Sequence, residues 1–214
     1  LPTHKEEDKE IINEKEAINM IRYAIDHGVN YVDTAWPYHS QASEPLVGKA
    51  LQDGYREKVK LVTKLPTWEI KEEGDFEKYL TQQLDRLQTD YLDIYLLHAL
   101  SEDRWETVEK FDLIEKMERA RAQGKIKHVG FSFHDSLSQF KKIIDAYNWD
   151  VCQIQYNYLD QEYQAGKEGL QYAANKDIAV IIMEPLRGGK LVEKDDKIQE
   201  ILNKAPKNRS LADW

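Results

Sequence analysis

The sequence predicts an α/β fold on a parallel sheet, and three features predict it. Six short apolar segments alternate with amphipathic helical ones, the order of repeated βα units. The apolar runs are nearly continuous, so both faces of each strand are expected to be buried. Polar residues then collect at the C-terminal ends of different strands, at Asp33, Lys64, His98, Ser132 and Gln155. A (β/α)8 barrel gathers its chemistry there. A doubly wound open sheet accounts for the first two features, but it usually places a Gly-rich phosphate turn after its first strand, and neither GxGxxG nor GxxxxGK[ST] occurs.

The elements follow in order. From Glu16 to His27, Ala17, Ile18, Met20, Ile21, Ala24 and Ile25 share a helical face, and Gly28 stands where a left-handed cap ends it. Tyr31 to Ala35 reads as a strand, Glu44 to Leu51 as a two-turn helix, and Lys60 to Leu65 as a strand that Pro66 stops by removing a backbone donor. An Asp75-capped helix carries Phe76, Leu80, Leu84 and Leu87. Leu92 to His98 is a strand, Trp105 to Gln123 one long helix closed by Gly124, and Lys127 to Phe133 a strand. Leu137 to Ala146 is a helix, Val151 to Tyr156 a strand, Tyr163 to Asn175 a helix, and Ile178 to Met183 the last clear strand.

Composition narrows the function classes. With 214 residues, 41% of them hydrophobic, the chain can bury one sizeable core, and a single domain is expected over 1–214. The 30 Lys+Arg against 39 Asp+Glu give a net charge of -9, which disfavours nucleic acid and anionic membranes as partners. No apolar stretch is long enough to span a bilayer, and no signal peptide pattern opens the chain. The lone Cys152 excludes an internal disulfide and fits a reducing cytoplasm. The six histidines show neither HxH nor HExxH spacing, so no metal site is expected.

Asp33 and Tyr38 stand five positions apart where a strand gives way to a loop, with Lys64 and His98 at the ends of the next two strands. Carbonyl reduction needs a hydride on carbon and a proton on oxygen, hence a hydride cofactor and a donor able to release its proton near neutral pH. A free phenol, with a pKa of about 10, holds its proton too tightly. A nearby ammonium stabilises the phenolate, and a carboxylate beside the ammonium fixes it in place. In this reading Tyr38 is the acid, Lys64 its tuner, Asp33 the anchor of Lys64, and His98 the group that orients the carbonyl. Singly, these are ordinary turn, stem-packed, strand-end and half-buried residues. Their joint placement on one face favours chemistry.

At this point the residues resemble a known family. Tyr31-Val32-Asp33-Thr34-Ala35 with Tyr38, the segment Val62-Thr63-Lys64, the run Leu84 to His98 and the run Gly124 to Ser132 are similar to the aldo-keto reductases, in the right order over nearly the whole chain. The resemblance implies a (β/α)8 barrel, NADPH or less often NADH as cofactor, a small aldehyde or ketone as substrate, and the tetrad Asp33, Tyr38, Lys64 and His98. It places Ser132 and Gln155 on the nicotinamide carboxamide, with Phe133 where the family has asparagine. Where the family stacks an aromatic residue on the ring, this chain has Met183, followed by Glu184-Pro185-Leu186-Arg187-Gly188-Gly189, so Met183, Leu186 and Gly188 are expected near the cofactor.

The segments Phe133-His134-Asp135 and Met183 to Gly189 resemble a bacterial and archaeal branch whose members often carry a C-terminal ferredoxin-like domain. Each iron-sulfur cluster needs four thiolates, so such a cluster would require sequence outside this chain. Leu1-Pro2 resembles the end of the first barrel strand, and Ser210 to Trp214 the start of a late helix. The barrel is therefore expected to be incomplete at both ends, with strands two to seven recognisable. His39, Trp36, Trp68 and Trp105 are candidates for the substrate mouth. A non-catalytic, cofactor-binding regulatory barrel is the alternative to an enzyme.

Overall fold

Six parallel strands follow one another across the sheet in chain order, with none of the reversal that marks a doubly wound fold. The structure, a computed structural model, describes residues 1–6, 9–193, 195–207 and 209–214. An antiparallel pair, β1 (Thr3–Glu6) and β2 (Lys9–Ile12), precedes α1 (Glu14–Asp26). The wall is then β3 (Tyr31–Asp33), β4 (Lys60–Leu65), β5 (Leu92–Leu100), β6 (Ile126–Phe133), β7 (Val151–Gln155) and β8 (Ala179–Met183). Between them lie α2 (Ser43–Ala50), α3 (Asp75–Leu87), α4 (Glu102–Lys110), α5 (Leu113–Ala122), α6 (Leu137–Ala146) and α7 (Gly166–Ala174), and α8 (Asp196–Leu202) follows β8.

The sheet is strongly curled. Gln153 of β7 donates to Asp33 of β3 across 3.1 Å, although four strand spacings separate them in the sheet. In a flat sheet they would lie about 19 Å apart. That contact decides for a barrel wall over an open sheet.

Side-chain alternation divides the core in two. Outward positions such as Leu61, Tyr95, Leu97, Phe131, Phe133 and Ile154 pack beneath the helices. Phe131 lies 4.9 Å from Trp149 and Phe133 5.1 Å from Phe140, ring to ring, which seats α6 on β6. Inward positions form a second cluster of Val62, Leu96 and Val151 with Tyr31, Ile94 and Ile181. One layer further along the strands the inward residues turn polar, at Asp33, Lys64, His98, Ser132 and Gln153.

Several sequence expectations need correction. The helix expected from Trp105 to Gln123 is two helices, broken where Asp112 takes a left-handed φ of 48°, a conformation that aspartate tolerates better than most residues. Asp75 does not cap its own helix. Its carboxylate instead accepts the Lys71 and Glu72 N–H groups of the preceding loop, at 2.8 and 3.0 Å. Leu1 and Pro2 lie outside any strand, and the β1–β2 pair was not foreseen. Ser210 to Trp214 form a turn, in which the Asp213 carboxylate takes the Ser210 N–H and hydroxyl at 3.0 and 2.6 Å. Among the described residues, no helix is long and apolar enough to cross a membrane.

Candidate active site

Asp33 closes β3, Lys64 stands one residue from the end of β4, and His98 lies near the end of β5, all pointing into the curl. Tyr38 comes from the loop after β3. The Lys64 side chain is 1% exposed, yet its ammonium is fully engaged. It donates to Asp33 Oδ1 at 2.5 Å, to the Thr34 carbonyl at 2.9 Å and to the Tyr38 hydroxyl at 3.3 Å. A buried ammonium needs such partners, because desolvation disfavours a lone charge. Tyr38 therefore accepts from Lys64, and among the described residues its own proton is promised to nothing. The structure thus brings the four predicted residues together.

The His98 ring lies 5.9 Å from that of Tyr38, edge to face. Burial, then the positive charges of Lys64, Arg104 and His134, lower its pKa to about 3. The imidazole is therefore neutral at ordinary pH, with one N–H to donate. Nδ1 is buried and, among the described residues, has no hydrogen-bond partner.

Trp68 belongs to this wall of the site, its ring 5.1 Å from His98. The other mouth candidates fare differently. Trp105 is 3% exposed, packs near Trp149 and donates to Glu109. Trp36 is buried between Tyr79 and Arg86. Both are packing residues. His39 is an exposed loop residue with a left-handed φ of 49°.

Two parts of the site were missed from sequence. Gln153 holds the second carboxylate oxygen of Asp33, and its place two residues before Gln155 on the same strand face was the available signal. Behind Lys64, the fully buried Glu44 accepts from Thr63 and from Gln83, each at 2.6 Å. Gln83 in turn donates to the Lys64 carbonyl at 3.0 Å and accepts from the Tyr95 hydroxyl at 2.7 Å. Glu44 is read from sequence only as the start of a helix, and nothing in periodicity marks it as a hub.

With this geometry in place, comparison with known proteins is decisive. The model of the Aldo/keto reductase family matches residues 3–212. The chain belongs to the aldo-keto reductase family. It is 30% identical over 190 residues to aldo-keto reductase YhdN of Bacillus subtilis (strain 168), covering 85% of this chain and 55% of that protein. It is 37% identical over 118 residues to methylglyoxal reductase YeaE of Escherichia coli (strain K12), covering 55% of this chain and 39% of that protein. A solved aldo-keto reductase from Klebsiella pneumoniae in complex with NADPH is 26% identical with a TM-score of 0.74, covering 93% of this chain and 68% of that one. The chain spans about half the length of such curated relatives, for example 55% and 58% of two Bacillus subtilis proteins. The fold is accordingly part of an aldo-keto reductase (β/α)8 barrel.

The residues assigned to an aldo-keto reductase nicotinamide fall into two groups. Ser132 is 1% exposed, and its oxygen accepts the Ala99 N–H at 2.6 Å, which leaves its hydroxyl proton to give. Gln155 and Met183 are register partners at the ends of β7 and β8, both half-buried. Gln153 Oε1, a buried acceptor without a partner among the described residues, sits beside Ser132 in the sheet register. A carboxamide needs one donor and one acceptor, so Ser132, Gln153 and Gln155 suit it. Leu186 and Gly188 lie in the turn after β8, and among the described residues no hydrogen bond joins that turn to the tetrad.

Proposed function

We propose that the protein reduces aldehydes or ketones to alcohols with a reduced nicotinamide cofactor, Tyr38 giving the proton. The observation that carries this reading is the Lys64 ammonium, 2.5 Å from Asp33 and 3.3 Å from the Tyr38 hydroxyl. The cofactor, NADPH or else NADH, would supply a hydride to the carbonyl carbon. Support comes from relatives solved with NADP or NADPH and from one named an NADH-specific methylglyoxal reductase. Ser132, Gln153, Gln155 and Met183 would hold it.

The chain's own residues do the rest. As the carbonyl carbon gains the hydride, its π electrons move onto oxygen, and the Tyr38 O–H gives its proton to that oxygen. The phenolate left behind faces the Lys64 ammonium, which Asp33 and the Thr34 carbonyl hold in position. Solvent then returns a proton to Tyr38. Neutral His98 donates its N–H to the carbonyl oxygen and orients it without competing as an acid. We further propose that residues 1–214 act as one barrel domain, a reading supported by the continuous hydrophobic cluster from Ile25 to Ile178.

The test is Tyr38→Phe in the full-length protein, assayed first with methylglyoxal. Turnover should fall on the order of 10²-fold or more, the usual worth of general acid catalysis, while quenching of reduced-cofactor fluorescence persists. Unchanged turnover would overturn the mechanism. Cofactor binding without reduction of any aldehyde in a broad panel would instead favour the non-catalytic regulatory barrel.

A further inference from the structure

Arg104 is a cation of this site that, among the described residues, no carboxylate balances. Among the described residues, six of the eight arginines pair with a carboxylate: Arg22, Arg56, Arg86, Arg119, Arg121 and Arg187. Among the described residues Arg104 has no such partner, although Glu102 and Asp103 adjoin it in sequence. One of its terminal nitrogens donates to the Ala99 carbonyl at 2.5 Å, and its guanidinium carbon lies 5.1 Å from the Trp68 ring. Among the described residues, the remaining N–H groups of the fork have no hydrogen-bond acceptor. The side chain is half-buried, neither lost in solvent nor sealed in the core.

Its position relative to the chemistry is specific. Arg104 lies over Trp68, Trp68 stands 5.1 Å from His98, and His98 stands 5.9 Å from Tyr38. A row of side chains thus runs from a free guanidinium to the reacting group. His134, whose Nδ1 lies 3.3 Å from Gln164, adds a second polar group on this side, and desolvation holds its pKa below the usual imidazole value. Asp33 is already committed to Lys64 and Gln153. Beside its burial, the charged side chains that bear most on His98 are Lys64 and Arg104, both cationic.

We propose that Arg104 and Trp68 form a subsite for a carboxylate carried by the carbonyl substrate, so that the preferred substrates are aldehyde or keto acids. The inference rests on the reading that Tyr38 and His98 receive the carbonyl oxygen. A guanidinium fork matches a carboxylate in shape and charge, and its strength grows where the surroundings exclude water. Trp68 offers an apolar face for the short chain or ring linking the two ends of such a substrate. The spacing, two steps of about 5 Å from Arg104 to His98, suits a carbonyl separated from its carboxylate by a benzene ring or a few carbons.

The experiment compares 4-carboxybenzaldehyde with its neutral methyl ester in the full-length enzyme, using wild type, Arg104→Gln and Arg104→Lys. Wild type should favour the acid, mainly through KM. Arg104→Gln should lower kcat/KM for the acid on the order of tenfold more than for the ester, as expected for loss of a charge-assisted pair, and Arg104→Lys should restore part of the difference. A binding arm needs no turnover: 4-(hydroxymethyl)benzoate titrated into the enzyme should quench tryptophan fluorescence in wild type but not in Arg104→Gln. If aldehydes are reduced but the acid gains no Arg104-dependent advantage, the subsite is overturned and the proposed function stands. If the benzoate binds through Arg104 but no aldehyde is reduced, the function fails and the subsite stands.

Discussion

Glu44→Ala tests whether the buried network behind β4 sets the position of Lys64. Glu44 is fully buried in the first turn of α2, where the helix N-terminus favours a negative charge. Its Oε1 takes the Thr63 hydroxyl and the Gln83 amide at 2.6 Å each, and Oε2 lies 3.5 Å from Arg86. Hydrogen bonds to a charged group are each worth roughly 1.5 to 3 kcal/mol. Arg86, a quarter exposed, keeps Gln41 and the Trp36 face, so its loss is small. Thr63 and Gln83 are fully buried and cannot turn to water. Breaking such a network should cost about 3 to 5 kcal/mol, whereas Glu44→Gln, which keeps one carbonyl acceptor, should cost about 1 to 2 kcal/mol. Urea unfolding read by linear extrapolation gives both values. Because Gln83 also holds the Lys64 carbonyl, Glu44→Ala should lower turnover more than it weakens cofactor binding. A Glu44→Ala protein within about 1 kcal/mol of wild type, or a Glu44/Gln83 double-mutant coupling below about 0.5 kcal/mol, would refute the argument.

Two further predictions concern packing and pH. A Cβ at Gly130 would overlap the Val151 carbonyl and meet Leu96 Cδ2 at 2.8 Å, so Gly130→Ala should cost about 3 kcal/mol or more in urea unfolding; a neutral result would mean that β6 and β7 lie further apart. Folding holds the His98 pKa at about 3, below the ordinary value near 6.5, so below pH 6.5 the unfolded chain binds a proton that the folded one refuses. Stability from this group is therefore complete above pH 6.5 and lost as pH falls from 6.5 toward 3, with a slope of up to about 1.4 kcal/mol per unit. His98→Asn should flatten the stability profile between pH 4.5 and 6.5, and parallel wild-type and variant profiles would contradict the burial argument.

What the sequence made legible was whatever follows from alternation. The strand Lys60–Leu65 and the helix Leu137–Ala146 stand at their expected bounds, because continuous apolar runs and a four-residue helical spacing leave little freedom. Asp33, Lys64 and His98 were visible because strand-end polar residues in parallel units must share one face. The break at Asp112 was not visible. A single left-handed residue leaves the apolar spacing almost unchanged on either side. The roles of Gln153, Glu44 and Arg104 were hidden for a different reason: each depends on a partner distant in sequence, and periodicity reports only neighbours.

Asp33 joins the fold to the site more tightly than a tetrad diagram suggests. Its two carboxylate oxygens are divided, Oδ1 to Lys64 on the adjacent β4 and Oδ2 to Gln153 on β7. The first contact needs only two neighbouring strands. The second exists only if the sheet curls far enough to bring β7 round to β3. A carboxylate held at both oxygens cannot rotate, so the direction from which it holds the Lys64 ammonium is fixed by the curvature of the whole wall. Lys64 in turn is the sole described donor to the Tyr38 hydroxyl. The placement of the phenol is thus coupled to barrel curvature through two side chains, and a change at Gln153, remote from Tyr38 in sequence, bears on the site by the same route as a change in Asp33 itself.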